Sequence, residues 1–143
     1  MIGRIATRSS PQPPTTAAGP GFVVSFTPSE RRVGHMRRIT AAYLRHRGCA
    51  ALTDDAVLVV SELVTNAVQH GKGEVGLRIS ASAGELCIEV SDGSTTPARL
   101  RSAGEDAEDG RGLLLVAALA RTWGVSDDGT TTWCTLALPD GRL

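Results

Sequence analysis

The chain has little that would anchor it to a membrane, a nucleic acid or a metal. Its 143 residues hold only three cysteines, Cys49, Cys87 and Cys134. They are far apart, odd in number and without CxxC or HxxxH spacing, which argues against a disulfide framework and against a zinc site. They read as reduced, buried thiols of a cytoplasmic protein. Net charge is missing as well. Fifteen basic and fifteen acidic residues cancel, so no bulk field draws the chain to nucleic acid or to an anionic membrane. No apolar run approaches the roughly 20 residues that span a bilayer. Arg4, Arg8 and a Ser/Pro tract stand where a signal peptide would carry its apolar core.

What remains is enough for one ordinary domain: 41% of the residues are hydrophobic, sufficient for a core without staples. Residues 1–21, ending in SSPQPPTTAAGPG, are too rich in proline and small residues to bury much apolar area and read as a flexible leader. The domain proper spans residues 22–143. Phe22 to Phe26 has the composition of a strand. Ser29 then caps a helix that runs to about Arg47, with Val33, Met36, Ile39, Ala42, Tyr43 and Leu44 on its apolar side and Gly48 at its end. A second helix starts at Thr53 or Asp54 and runs to Gly71, so apolar that its hydrophobic positions nearly encircle it. Two antiparallel strands follow, Glu74 to Ser80 and Glu85 to Ser91, turning at Ala83 and Gly84. Asp92 to Gly112 shows no periodicity and reads as a long loop of the kind that forms lids. A helix from Leu113 to Ala120 and strands Thr122 to Ser126 and Thr130 to Leu138, turning at Asp127, Asp128 and Gly129, complete the chain. This order predicts an α+β fold, a two-layer sandwich with helices on one face of a mixed or antiparallel sheet.

Four features carry chemistry. Glu62, Asn66 and His70 are spaced i, i+4, i+8 and make one polar stripe on the second helix. Oxygen donors of this kind suit a hydrated magnesium ion, with Asn66 as direct ligand and Glu62 holding a water. Asp92 and Gly93 close a strand, where the carboxylate can accept hydrogen bonds and the glycine lets a planar ligand approach. Gly110, Arg111 and Gly112 precede an apolar helix, whose free N–H groups and dipole make an anion site. GTTTW, Gly129 to Trp133, places threonine hydroxyls near whatever Asp92 contacts. Each feature alone also has a plain structural reading: a solvated helix side, a turn, a hinge, and threonines that simply favour a strand.

Jointly, and in this order, they resemble the GHKL ATP-binding fold shared by DNA gyrase, the heat-shock chaperones, histidine kinases and MutL, also called the Bergerat fold. Within it the chain is most similar to the compact anti-sigma-factor serine/threonine kinases of bacteria, over about Phe22 to Leu138. The resemblance of SELVTNAVQH to the family's first box implies that Asn66 binds Mg2+ and that Glu62 positions or deprotonates the attacking nucleophile. VSDGS is similar to the adenine box, which implies that Asp92 receives the adenine amino group and that Gly93 permits its approach. DGRGLLLV resembles the lid box, which would bring Gly110, Arg111, Gly112 and Leu113 to the phosphates. GTTTW resembles the last box, with Thr131 assisting Asp92. The cofactors implied are ATP and Mg2+. The partners implied are a sigma factor and an anti-sigma-factor antagonist that accepts the phosphoryl group, and such proteins commonly dimerise, with the first helix a candidate contact. The alternative is a non-catalytic module whose affinity for a partner depends on ATP. Two departures stand out: Thr130 occupies a position that is often lysine in relatives, and Glu105, Asp106, Glu108 and Asp109 make the lid acidic.

Overall fold

The computed structural model describes residues 21–82, 84–95 and 107–139, with the side chains of the last helix described from Gly112 onward. Five strands, β1 (Gly21–Phe26), β2 (Val75–Ser82), β3 (Glu85–Ser91), β4 (Thr122–Val125) and β5 (Thr131–Ala137), form one sheet in the order β1-β2-β3-β5-β4. Every pairing is antiparallel, which settles the mixed-or-antiparallel alternative. Three helices, α1 (Glu30–His46), α2 (Thr53–His70) and α3 (Ala107–Leu119), accompany it. The leader expected over residues 1–21 lies outside the described residues except for Gly21, which begins β1 opposite Ser80. Among the described residues no helix is long and apolar enough to cross a membrane.

The strand register puts one face of the sheet under the helices. Leu77, Val90 and Val24 lie in one row across it, Ile79, Ile88, Cys134 and Phe22 in the next, and these residues belong to or pack on the hydrophobic core. Alternation with period two turns their neighbours to the other face. There Ser80, Cys87, Trp133 and Thr135 are also buried. Burial, and then the charges of Glu89 and Glu85, pushes the Cys87 thiol up to about 12. All three cysteines are free and buried, as their odd number and wide separation in the sequence suggested.

Helix α2 is the central helix. Ala56, Val59, Val60, Leu63, Val64 and Ala67 are buried along it, and full burial of a Val or Leu side chain is worth about 1.5–3 kcal/mol. It is not encircled, however: Leu58 is 37% exposed, because the outer side of α2 meets solvent and the site rather than another layer. Nor does Thr53 or Asp54 cap it through a side chain. A short 3-10 turn, Ala50–Leu52, winds straight into the helix. Within the turn the Leu52 N–H donates to the Cys49 carbonyl, and the first N–H of α2, that of Thr53, donates to the Ala50 carbonyl, so the turn and not a side chain satisfies the start of the helix. Asp54 and Asp55 still favour the positive end of the dipole.

Helix α1 packs along α2 and buries Val33, Met36, Thr40 and Leu44. The Thr40 hydroxyl donates to the Met36 carbonyl at 2.8 Å, which lets a polar side chain sit fully buried. Ile39 and Ala42, expected on this side, are exposed, since at 100° per residue Ala42 falls opposite the 33–36–40–44 stripe and Ile39 about 100° to its side. Tyr43 meets Phe22 of β1 edge-on, ring centres 5.2 Å apart. The helix ends in a Schellman motif: Cys49 N–H donates to the Leu44 carbonyl and Gly48 N–H to that of Arg45, with Gly48 at φ +74°.

The largest departure from the sequence reading is α3, which begins at Ala107 rather than Leu113. The expected loop is therefore six residues shorter, and its residues 96–106 lie outside the described ones. Acidic residues favour a helix start, and a glycine inside a helix costs only about 1 kcal/mol. Gly110 and Gly112 thus fail to stop the helix.

Candidate functional site

The polar stripe of α2 lines one cavity. Glu62, Asn66 and His70 share it with Thr65 and Gln69 of the same helix and with Gly112 and Leu113 of α3. Sequence reasoning missed Thr65 and Gln69, although i+3 and i+7 from Glu62 are on the same side of a helix. The cavity measures about 40 Å³, room for a few waters and far below the ~300 Å³ at which small-molecule pockets begin. What narrows it is α3: a methyl group at Gly112 would lie 2.7 Å from Glu62 Oε1, so the helix backbone rests directly on the carboxylate. Burial raises the pKa of Glu62 above the ordinary range of a glutamate. No hydrogen bond or ion pair engages its carboxylate among the described residues.

The helical start at Ala107 also moves the free N–H groups of α3. They belong to residues 107–110, whereas the N–H of Gly112 lies within the hydrogen-bonded part of the helix. The anion site read at Gly110, Arg111 and Gly112 is therefore displaced toward the helix start by about one turn. The Arg111 side chain lies outside what is described.

Asp92 and Gly93 follow β3 and meet the last turn of α2. Asp92 N–H donates to the Thr130 carbonyl at 3.0 Å, and Gly93 N–H to that of Lys72 at 2.6 Å. The buried Asp92 carboxylate accepts the Ser94 N–H at 2.6 Å. A methyl group at Gly71 would stand 2.5 Å from Asp92 Cγ, so only glycine lets the carboxylate tuck against the end of the helix. In the sequence Gly71 showed only as a helix end. Beside Asp92 a wider groove of about 370 Å³ opens between Lys72, Ser25, Gly76 and Gly93.

Thr131 stands elsewhere. It pairs with Ser91 and faces, with Arg78 and Glu89, a groove on the side of the sheet turned away from the helices. Thr132, paired with the core residue Val90, occupies the face that Asp92 shares by alternation. Counting parity back from Val90 identifies it. Thr130 is committed to the β4–β5 turn, where its N–H and hydroxyl both donate to Asp128 Oδ1. These bonds and that from Ser126 hold the Asp128 carboxyl below its ordinary pKa.

Among the described residues no group of three or more His, Cys, Asp and Glu could hold a metal by itself. The donors in the α2 cavity are nonetheless hard: a carboxylate and an amide oxygen, with space for waters. A magnesium ion needs only one or two protein oxygens when phosphate oxygens and water complete its shell. Glu62 and Asn66 fit an ion that arrives with a phosphate-bearing ligand.

A comparison with protein families agrees with this geometry. No curated protein matches the chain. The family model for the histidine kinase-like ATPase domain matches residues 26–136, from the end of β1 to the end of β5, and so takes in α2, Asp92 and α3 together. The chain belongs to the histidine kinase-like ATPase domain family, the ATP-binding fold of GHKL type.

Proposed function

We propose that the protein binds Mg-ATP and transfers its terminal phosphoryl group to a serine or threonine hydroxyl of an anti-sigma-factor antagonist, while another surface holds a sigma factor. The observation that carries the reading is the meeting of Glu62 and Asn66 in one cavity beneath Gly112 and Leu113, on the same helix as the Gly71–Asp92 contact, which lies about one and a half turns beyond Asn66. In this reading Asn66 holds Mg2+, which neutralises charge on the phosphates. Asp92 and Gly93 receive the adenine edge. The free N–H groups at the start of α3, up to Gly110, take the phosphates together with Arg111, and Glu62 accepts the proton of the attacking hydroxyl. A raised pKa suits that last role, because a base works best with a pKa near the working pH. Transfer of this kind is mostly positioning and charge stabilisation, which asks few residues to do chemistry.

Calorimetric titration with ATP, with and without Mg2+, on the wild type and on Asp92→Asn tests the site. Magnesium-dependent binding that the variant loses supports it, and no binding by the wild type refutes it. Glu62→Ala separates binding from transfer: affinity should stay near the wild-type level while phosphorylation of the antagonist stops.

One observation favours the non-catalytic alternative. With Gly112 against Glu62 the cavity is too small for a nucleotide, so entry requires α3 to shift, carrying the exposed Leu114 and Leu115 with it. ATP would then change a partner-binding surface. In that case Glu62→Ala leaves ATP-dependent partner binding intact, and no phosphorylated product forms even with the wild type.

A further inference from the structure

The chain has fourteen arginines and a single lysine, Lys72. Five of the arginines, Arg31, Arg32, Arg37, Arg38 and Arg45, fall on α1 together with His35 and His46, against one acid, Glu30. All five are exposed. None has an ion-pair partner among the described residues, in contrast to Arg121, which lies 3.4 Å from Glu85. Their polar contacts are slight: Arg37 donates to Ser61 Oγ at 3.2 Å, and Arg32 reaches His35 Nδ1 at 3.3 Å.

Arg31, His35, Arg38, Ala42 and Arg45 follow one another at intervals of four, three, four and three. At 100° per residue they fall within an arc of about 80°, opposite the buried stripe of Val33, Met36, Thr40 and Leu44, and extend about 21 Å along the helix. The small, exposed Ala42 leaves a notch between Arg38 and Arg45. Alternating three and four is the spacing at which two helices stay in register along a seam. Guanidinium groups on such a seam match carboxylates in two-pronged pairs. Partial loss of water, followed by the charges of Arg38, Arg32 and Arg31, holds the His35 pKa below its ordinary value, a local sign of positive potential.

We propose that this crest of α1 is a docking surface for an acidic α-helix of a partner protein, one that carries Asp or Glu at three- and four-residue intervals. It does not depend on the nucleotide reading. A polyanion or a bilayer is the poorer fit, because nucleic acid and anionic membranes call for a broad basic face. Here the positive charge is one helix wide on a chain with no net charge.

The test uses the full chain and a fluorescent helical peptide with glutamates spaced three and four apart on one side. Its control has the same composition with the glutamates spread around the helix. Anisotropy should show the one-sided peptide binding about tenfold more tightly than its isomer, and Arg31→Gln/Arg38→Gln/Arg45→Gln weakening it about tenfold, as expected for three exposed ion pairs. Arg121→Gln should leave binding unchanged, and the triple variant should melt as the wild type does. Should it not, Arg38→Gln alone is used, with an expected loss of about twofold or more. The proposal is overturned by equal binding of the two peptides, by wild-type affinity in the arginine variants, or by tighter binding of duplex DNA or of phosphatidylserine vesicles. It is also overturned if the wild type self-associates in sedimentation and the triple variant does not, since the occupant is then a second copy of the chain.

Discussion

Replacing Gly71 with alanine tests the join between α2 and Asp92. The new methyl group would lie 2.5 Å from the Ala67 carbonyl oxygen and 2.5 and 2.6 Å from Cγ and Oδ2 of Asp92. Carbon makes comfortable contact only at about 3.5 Å or more, so the carboxylate has to retreat by about 1 Å. Overpacking of this kind costs about 1–3 kcal/mol. Retreat also stretches the Ser94 N–H bond to Asp92, now 2.6 Å, and a hydrogen bond to a charged group is worth about 1.5–3 kcal/mol. With part of each, the loss is about 2–4 kcal/mol. Unfolding entropy of about 2.1 cal/mol/K per residue over 143 residues converts this to a fall in Tm of about 7–13 °C. Gly48→Ala is the control, because Gly48 has φ +74° and nothing within 4 Å of the added methyl group. It carries only the left-handed penalty of about 1–2 kcal/mol, or about 3–7 °C. Calorimetric melting and ATP titration should then separate the two: Gly71→Ala loses stability and nucleotide affinity together, Gly48→Ala only stability. If Gly71→Ala melts within a degree or two of wild type and binds ATP equally well, the contact does not position Asp92 and the reasoning fails.

Other perturbations give sharper signs than sizes. Gly112→Ala would press on Glu62 Oε1 at 2.7 Å, the free end of a flexible side chain, so stability should fall by less than about 1 kcal/mol while any phosphoryl transfer drops. Glu62 has a folded pKa raised by burial, so its contribution to stability is full below the unfolded value near 4.5 and is lost as pH rises through the folded value. Glu62→Gln should accordingly melt like the wild type at pH 4 and above it at pH 7, and a constant difference across that range would contradict the sign. Leu63→Ala, at a site 2% exposed, should cost about 2–5 kcal/mol. Leu58→Ala, at a site 37% exposed, should cost less than about 1 kcal/mol, as denaturant unfolding of the pair will show.

The order of the elements was legible because each strand and helix carries its own period and its own punctuation. Glu62, Asn66 and His70 could be grouped from spacing alone, since helical geometry fixes which residues share a side. The failures have a common physical origin: contacts between elements decided what local rules left open. Gly110 and Gly112 look like breakers in isolation, yet Gly112 sits inside α3 because the helix must lie close upon Glu62. Gly71 looks like a helix end, yet its missing side chain serves Asp92. Thr131 and Thr132 are chemically identical, and only pairing with Ser91 or Val90 says which one faces the core. Ile39 and Ala42 suit a buried side by composition, but the line of α2 selected Thr40, which hides its hydroxyl in a bond to Met36.

The two halves of the site hang on a single helix. Glu62 and His70 are separated by about 12 Å of continuous α-helix, and Gly71, the next residue, sets Asp92. No hinge intervenes, so the span between the Glu62 end and the Asp92 end is a fixed length, as in a gauge block. A ligand that is too short can touch one end or the other but gains nothing from the second, whereas one of matching length collects both contacts after ordering only once. Selection by length would therefore persist even where α3 stands open, because the measuring element is not the part that moves.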